Sequence, residues 1–154
     1  MFRIVAAAVA AALPQAGVLV PGKSLGGIRL GEMPKQVLAT WGRSYGRCAG
    51  CRHPTWYFTY GAFQPQGAGV EFRHGRVAAA FTLWQPQGWH TPRQLTLGDP
   101  AERITEIYGP LPRADCLGYH ALTRPSRGAL TTFYVSEEKL WGFGLMRPHV
   151  LLCR

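Results

Sequence analysis

Two fifteen-residue stretches of the chain align with each other without gaps. IRLGEMPKQVLATWG occupies 28–42 and LTLGDPAERITEIYG occupies 95–109. Ile28 meets Leu95, Leu30 meets Leu97 and Gly31 meets Gly98. Val37 meets Ile104, Trp41 meets Tyr108 and Gly42 meets Gly109, all at one constant step. Chance supplies two or three such pairs over so short a span, and six mark an internal duplication. Neither copy has a solenoid period, so a tandem pair is expected.

Each stretch reads as an apolar-Gly lead into one amphipathic helix. Ile104, Ile107 and Tyr108 fall at helical spacing, as do Val37, Leu38 and Trp41. Gly42 and Gly109 provide the stop, and Pro110 prevents a restart. In the second copy Asp99, Pro100 and Glu102 look like an N-cap, a first helical residue and the partner of a capping box. The first copy has no comparable start at Glu32-Met33-Pro34.

Aromatic and β-branched runs follow each helix. In the first half these are TWYFTY (55–60), GVEFR (69–73) and RVAAAFTLW (76–84), with His74-Gly75 as a hairpin turn. In the second half they are YHALTR (119–124), TTFYV (131–135) and KLWGFGLM (139–146). The fold class expected is α+β: two tandem helix-plus-antiparallel-meander modules with the helices on one face. The boundaries are a leader at 1–16, a first module at 17–84, a Gln/Pro/Gly-rich linker at 85–94 and a second module at 95–154.

The leader assignment rests on Arg3, the short Ala/Val-rich run Ile4 to Leu13, Pro14 and the small residues after it. That run is too short for a membrane span, which needs roughly 20 apolar residues. The protein is therefore expected to be secreted, without a transmembrane segment in its mature chain. Four cysteines in an exported chain predict two disulfides. Of the three possible connectivities, Cys48–Cys51 with Cys116–Cys153 is the preferred one.

The string LGEMPKQVLATWG resembles the opening motif of the small outer-membrane-assembly lipoprotein family, through Gly31, Gln36, Val37 and Gly42. The tandem arrangement resembles that of the secreted beta-lactamase-inhibitor-protein family. The chain has Met33 where the motif has a Thr cap, and it lacks the lipid-anchor Cys. The resemblance implies a protein-binding role, with the sheet face away from the helices as the contact surface. Strand alternation then turns Val70, Phe72, Val77, Ala79, Phe81 and Leu83 toward the helix. Glu71 and Thr82 face outward, and so do the candidate binding residues Tyr57, Arg73 and Trp84. In the second half Phe133, Val135 and Leu140 face inward, while Tyr134, Trp141 and Phe143 face outward. Gly142 and Gly144 are expected to leave room for Tyr108. Aromatic rings with arginine are what binding hot spots are made of.

The sequence carries no recognisable catalytic constellation. Cys48-Ala49-Gly50-Cys51 follows a helix stop rather than opening a helix, so it reads as structural, with a thiol-disulfide enzyme using the pair as a distant alternative. Cys48, Cys51 and His53 fall one short of a zinc site, and pairing of Cys116 would remove it as a thiol partner for His120. No phosphate or dinucleotide loop and no nucleic-acid motif is present, and no cofactor or metal is implied. The formal charge of +9 keeps a second partner class open beside an envelope or extracellular protein. That class is an anionic cell-wall polymer or other polyanion.

Overall fold

The structure, a computed structural model, describes residues 17–58 and 67–154; the leader expected at 1–16 and residues 59–66 lie outside the described residues. The expected pair of α+β modules is corrected. Most of the regular structure is antiparallel β, and it forms one eight-stranded sheet that runs through both halves. Among the described residues two short helices accompany it, α1 (Pro34–Trp41) and α2 (Glu102–Tyr108).

The strands of the large sheet are β3 (Gly46–Arg47), β4 (Thr55–Phe58), β5 (Gly67–Arg73), β6 (Arg76–Leu83), β7 (Arg113–Asp115), β8 (His120–Ser126), β9 (Ala129–Ser136) and β10 (Lys139–Met146). A separate two-stranded ribbon joins β1 (Leu19–Val20) to β2 (Ser24–Leu25). The sheet order is β3-β4-β5-β6-β10-β9-β8-β7, two meanders joined at β6 and β10. The joint runs antiparallel from Gly142↔Leu83 to Met146↔Ala79. A lone meander would leave a long apolar edge at β6, and pairing with β10 covers it.

The two halves repeat their local geometry at matching positions. The Gly31 N–H donates to the Val77 carbonyl and the Val77 N–H to the Glu32 carbonyl, each at 2.8 Å. Gly98, Leu140 and Asp99 make the same two bonds at 2.8 Å. Gly31 and Gly98 have φ of 87° and 93°, which favours glycine there. The hairpin turns also correspond: His74-Gly75 has φ of 51° and 70°, and Glu137-Glu138 has 51° and 60°, the sign that primed turns require.

Both helices pack on one face. Val37, Trp41 and Ile104 join Val70, Phe72, Phe133, Val135 and Leu140 in a core that also takes Leu19, Leu25 and Ile28. Trp41 anchors it, donating its indole N–H to the Gly26 carbonyl at 2.9 Å and meeting Phe58 and Trp89 edge-on. Trp89 belongs to the stretch read as a linker, yet it is fully buried in this core. Asp99 does not cap α2. Its carboxylate accepts from the Thr96 N–H and from Arg103, bracing the turn ahead of a helix that starts three residues later.

The opposite face carries a second core of Ala79, Phe81, Leu83, Ala121, Tyr134 and Met146. The strap at 147–154 crosses it and places Val150 there. The Cys116–Cys153 disulfide ties this strap down across a separation of 37 residues, whereas Cys48–Cys51 closes a separation of 3. Chain entropy then predicts unequal contributions. Replacing Cys116 and Cys153 by Ser should cost about 3–4 kcal/mol in denaturant unfolding, and the Cys48/Cys51 pair about 1–2 kcal/mol. Equal losses from the two pairs would contradict the strap's role.

Candidate functional site

Of the six candidate binding residues, the structure keeps four at least partly exposed and buries two. Tyr57, Arg73, Trp84 and Trp141 are half-buried. Tyr134 and Phe143 are fully buried, which corrects the expectation that both face solvent. Tyr134 does lie on the face away from the helices, but the strap covers it, and its hydroxyl donates to the Leu152 carbonyl at 2.6 Å. Burial pushes the Tyr134 phenol well above its ordinary pKa, so it stays a donor. Phe143 lies on the helix face against Phe133, with centroids 6.1 Å apart.

The cause of the Phe143 misplacement is a β-bulge, and each central strand has one. Ala78 is the extra residue between Val77, opposite Phe72, and Ala79, opposite Glu71. Trp141 is the extra residue between Leu140, opposite Val135, and Gly142, opposite Tyr134. An inserted residue reverses the alternation beyond it. Ala79, Phe81 and Leu83 therefore leave the helix face, and Phe143 joins it. Tyr108 does not fill space beside Gly142 or Gly144, but stacks on Phe133 at 5.1 Å. A Cβ on Gly142 would meet the Thr82 carbonyl instead.

Beneath the strap lies a cavity of about 230 Å³ walled by Tyr57, Phe81, Leu83 and Leu151. Glu71 is its buried charge, receiving Arg73 at 3.1 Å on one oxygen and Arg154 at 2.9 Å on the other. The Arg154 guanidinium also lies 4.6 Å above the Phe81 ring, a cation–π contact. This cluster fastens the end of the strap to β5.

Two further clefts occupy matching places on the two central hairpins. One, of about 280 Å³, is lined by Arg73, His74, Arg76, Ala78 and Arg147, with His149 beside them. The other, of about 380 Å³, is lined by Ser136, Glu137, Lys139, Trp141 and Trp84. Ser136, Glu137, Lys139 and Trp141 correspond to Arg73, His74, Arg76 and Ala78 at one constant step along the chain, and Trp84 stands to Arg147 at the same step in the reverse direction. Even the closing backbone bond is shared. The Arg147 N–H donates to the Ala78 carbonyl at 2.9 Å, and the Trp84 N–H donates to the Trp141 carbonyl at 2.6 Å.

The first cleft adjoins a larger one of about 560 Å³, where Arg47, His53, Arg73, His74 and His149 surround Trp56 and Phe72. No carboxylate among the described residues lines either space. Among the described residues, Arg47, Arg76 and Arg147 are in no salt bridge. Arg76 and Arg147 donate to the Gly31 and Gly128 carbonyls, which fixes their side chains without neutralising them. The sequence signal for this patch was Arg on both sides of the His74-Gly75 turn, echoed by Arg147 and His149. At the other end of the sheet, Glu102, Asp115, Glu137 and Glu138 line a cleft of about 830 Å³. There His120 is held below its usual pKa by burial and by Arg113, with Asp115 opposing.

Cys48 and Cys51 are bonded to each other, so neither sulfur is a free thiol or a zinc ligand. Cys116 is likewise bonded to Cys153 and is no nucleophile for His120.

No family model and no curated protein matches the sequence. Two solved structures share the fold. One is an extracellular protein containing an SCP domain from Bacillus anthracis, similar at a TM-score of 0.54 and 14% identity over 77% of this chain. The chain spans 44% of that protein's length. The other is a DUF4309 family protein, YjgB, from Bacillus subtilis, at a TM-score of 0.53 and 17% identity over 75% of this chain and 78% of its own.

The Glu71 cluster yields a direct test. Glu71→Gln leaves two arginines without their shared carboxylate, one of them almost fully buried. Stability should fall by about 3–5 kcal/mol in denaturant unfolding. A loss under about 1 kcal/mol would mean that the strap does not depend on this cluster.

Proposed function

We propose that this protein is an extracytoplasmic, non-enzymatic binding protein that holds an anionic polymer at the cationic end of its sheet. The observation that carries the reading is the pair of adjoining clefts lined by Arg47, Arg76, Arg147 and three histidines with no lining carboxylate, beside Arg73, which Glu71 already pairs. Arginine forks suit carboxylate and phosphate groups, and concave walls focus their field. The apolar floor of Trp56 and Phe72 gives the backbone of such a polymer something to lie on. Two disulfides support action outside the cytoplasm, as does the extracellular description of one structural neighbour. The shared hydrogen bonds, bulges and turns of the two halves support descent from one duplicated unit.

A second reading, a protein partner on the strapped face, is favoured by Leu117 and Leu151. These large apolar side chains are 98% and 72% exposed and flank the Cys116–Cys153 disulfide. Ionic strength separates the two readings. Binding to long-chain polyphosphate or polyglutamate should weaken steeply with added salt. The double variant Arg76→Ala, Arg147→Ala should lower the slope of log affinity against log salt by about 2, near one for each lost contact. Absent binding to either polymer, or a slope that the double variant leaves intact, would overturn the polymer reading. Contact through Leu117 and Leu151 would instead be nearly insensitive to salt.

A further inference from the structure

The two matching clefts share a bulge and a closing hydrogen bond and differ in chemistry. Where one has Arg147 and Ala78, the other has Trp84 and Trp141. The fold requires the bulge and the closing hydrogen bond, since both clefts have them. It does not require tryptophan, since alanine occupies the same bulge in the first half. Trp141 packs partly against the second core, whereas Trp84 joins neither core, so the core accounts for only part of one indole and none of the other.

Trp84 is also held in an unfavourable conformation. Its φ is 60°, in the left-handed region that bulky side chains avoid. Arg147, the residue at its counterpart position, has no positive φ. Strain of this kind persists where surrounding structure imposes it, and it collects at ligand sites. Here the strained backbone sets one indole at the mouth of a cleft whose other indole comes from the bulge. Trp141 is steadied by Tyr119, with ring centroids 5.2 Å apart.

We propose that the Trp84–Trp141 cleft is a binding site for a neutral saccharide. A pyranose offers apolar C–H faces to the electron-rich face of an indole and a rim of hydroxyls to polar groups. The cleft supplies both, with Ser136, Glu137 and Lys139 around the two rings. Glu137 accepts from hydroxyls, Lys139 donates to them, and Ser136 does either. The volume of about 380 Å³ falls at the small end of ligand sites, roughly 300–1,000 Å³, which suits a short stretch of glycan. An acidic sugar fits poorly, because Glu137 and Glu138 form the turn where the cationic cleft has His74 and Gly75.

The test titrates the full chain with chitohexaose, cellohexaose, xylohexaose and maltohexaose, followed by intrinsic tryptophan fluorescence and calorimetry. Saturable binding of at least one is expected, nearly unchanged between low and high salt. Trp84→Gly should reduce that affinity at least tenfold while leaving the melting temperature unchanged or higher, because glycine accepts the positive φ. Trp141→Ala should cause a similar loss of affinity, and Trp141→Phe a smaller one. No binding to any of the four glycans would overturn the proposal. So would binding that survives Trp84→Gly, or Trp84→Gly unfolding the chain, since the ring would then be structural. Polyphosphate binding is read separately, so failure here leaves the polymer reading untouched.

Discussion

The pairing of β6 with β10 determines where everything else in the molecule lies. Five registered residue pairs, from Gly142↔Leu83 to Met146↔Ala79, turn two short meanders into one sheet. Because the pairing is antiparallel, the two hairpin tips point to opposite ends. One face of the joined sheet is broad enough to bury both helices, the β1–β2 ribbon and Trp89 in a single core. Joining the meanders enlarges the shared core, and small domains are marginal when little surface can be buried. Close contact at the joint is visible in its side chains. Phe81 lies opposite Gly144, and its ring fills the space that a Cβ on Gly69 would need.

Several local features were legible in the sequence because they depend on neighbours in the chain. The stripe Val37, Leu38 and Trp41 and the stop at Gly42 correspond to α1, and His74-Gly75 forms its hairpin turn. Both disulfide pairs form as preferred. The joined sheet was not legible, because sequence does not record which edges meet. Nor were the bulges. Val77 to Leu83 looks like unbroken alternation, yet one extra alanine sends Phe81 and Leu83 to the far face. The same slip at Trp141 separates it from Phe143, so two rings that seem to share a face do not. Composition misled at Trp89, where a Gln/Pro/Gly-rich stretch carries a fully buried side chain.

The strap changes the meaning of the face away from the helices. An open antiparallel sheet with aromatic side chains reads naturally as a contact surface. Here much of that surface is used internally. Tyr134 bonds to Leu152, Arg154 bonds to Glu71 and covers Phe81, and Val150 is buried against the sheet. The disulfide at Cys153 holds the strap in place at modest cost in chain length. Surface left for partners is thus displaced from the middle of the sheet to its two ends and to the rim around Leu117 and Leu151.

The two ends differ in charge as well as shape. Of the eight acidic residues, Asp99, Glu102, Glu106, Asp115, Glu137 and Glu138 all lie in the second half. The first half has only Glu32 and Glu71, and Glu71 is already shared by two arginines. One hairpin tip is therefore flanked by Arg73, Arg76 and Arg147, while its counterpart is Glu137-Glu138. A long anion approaching such a molecule is attracted at one end and repelled at the other, which orients it before contact. The repelled end still presents two indoles, and their attraction for an apolar ring face does not depend on charge. In the two proposed roles the unlike clefts give a charged and an uncharged chain separate sites, so that neither would compete for the other's.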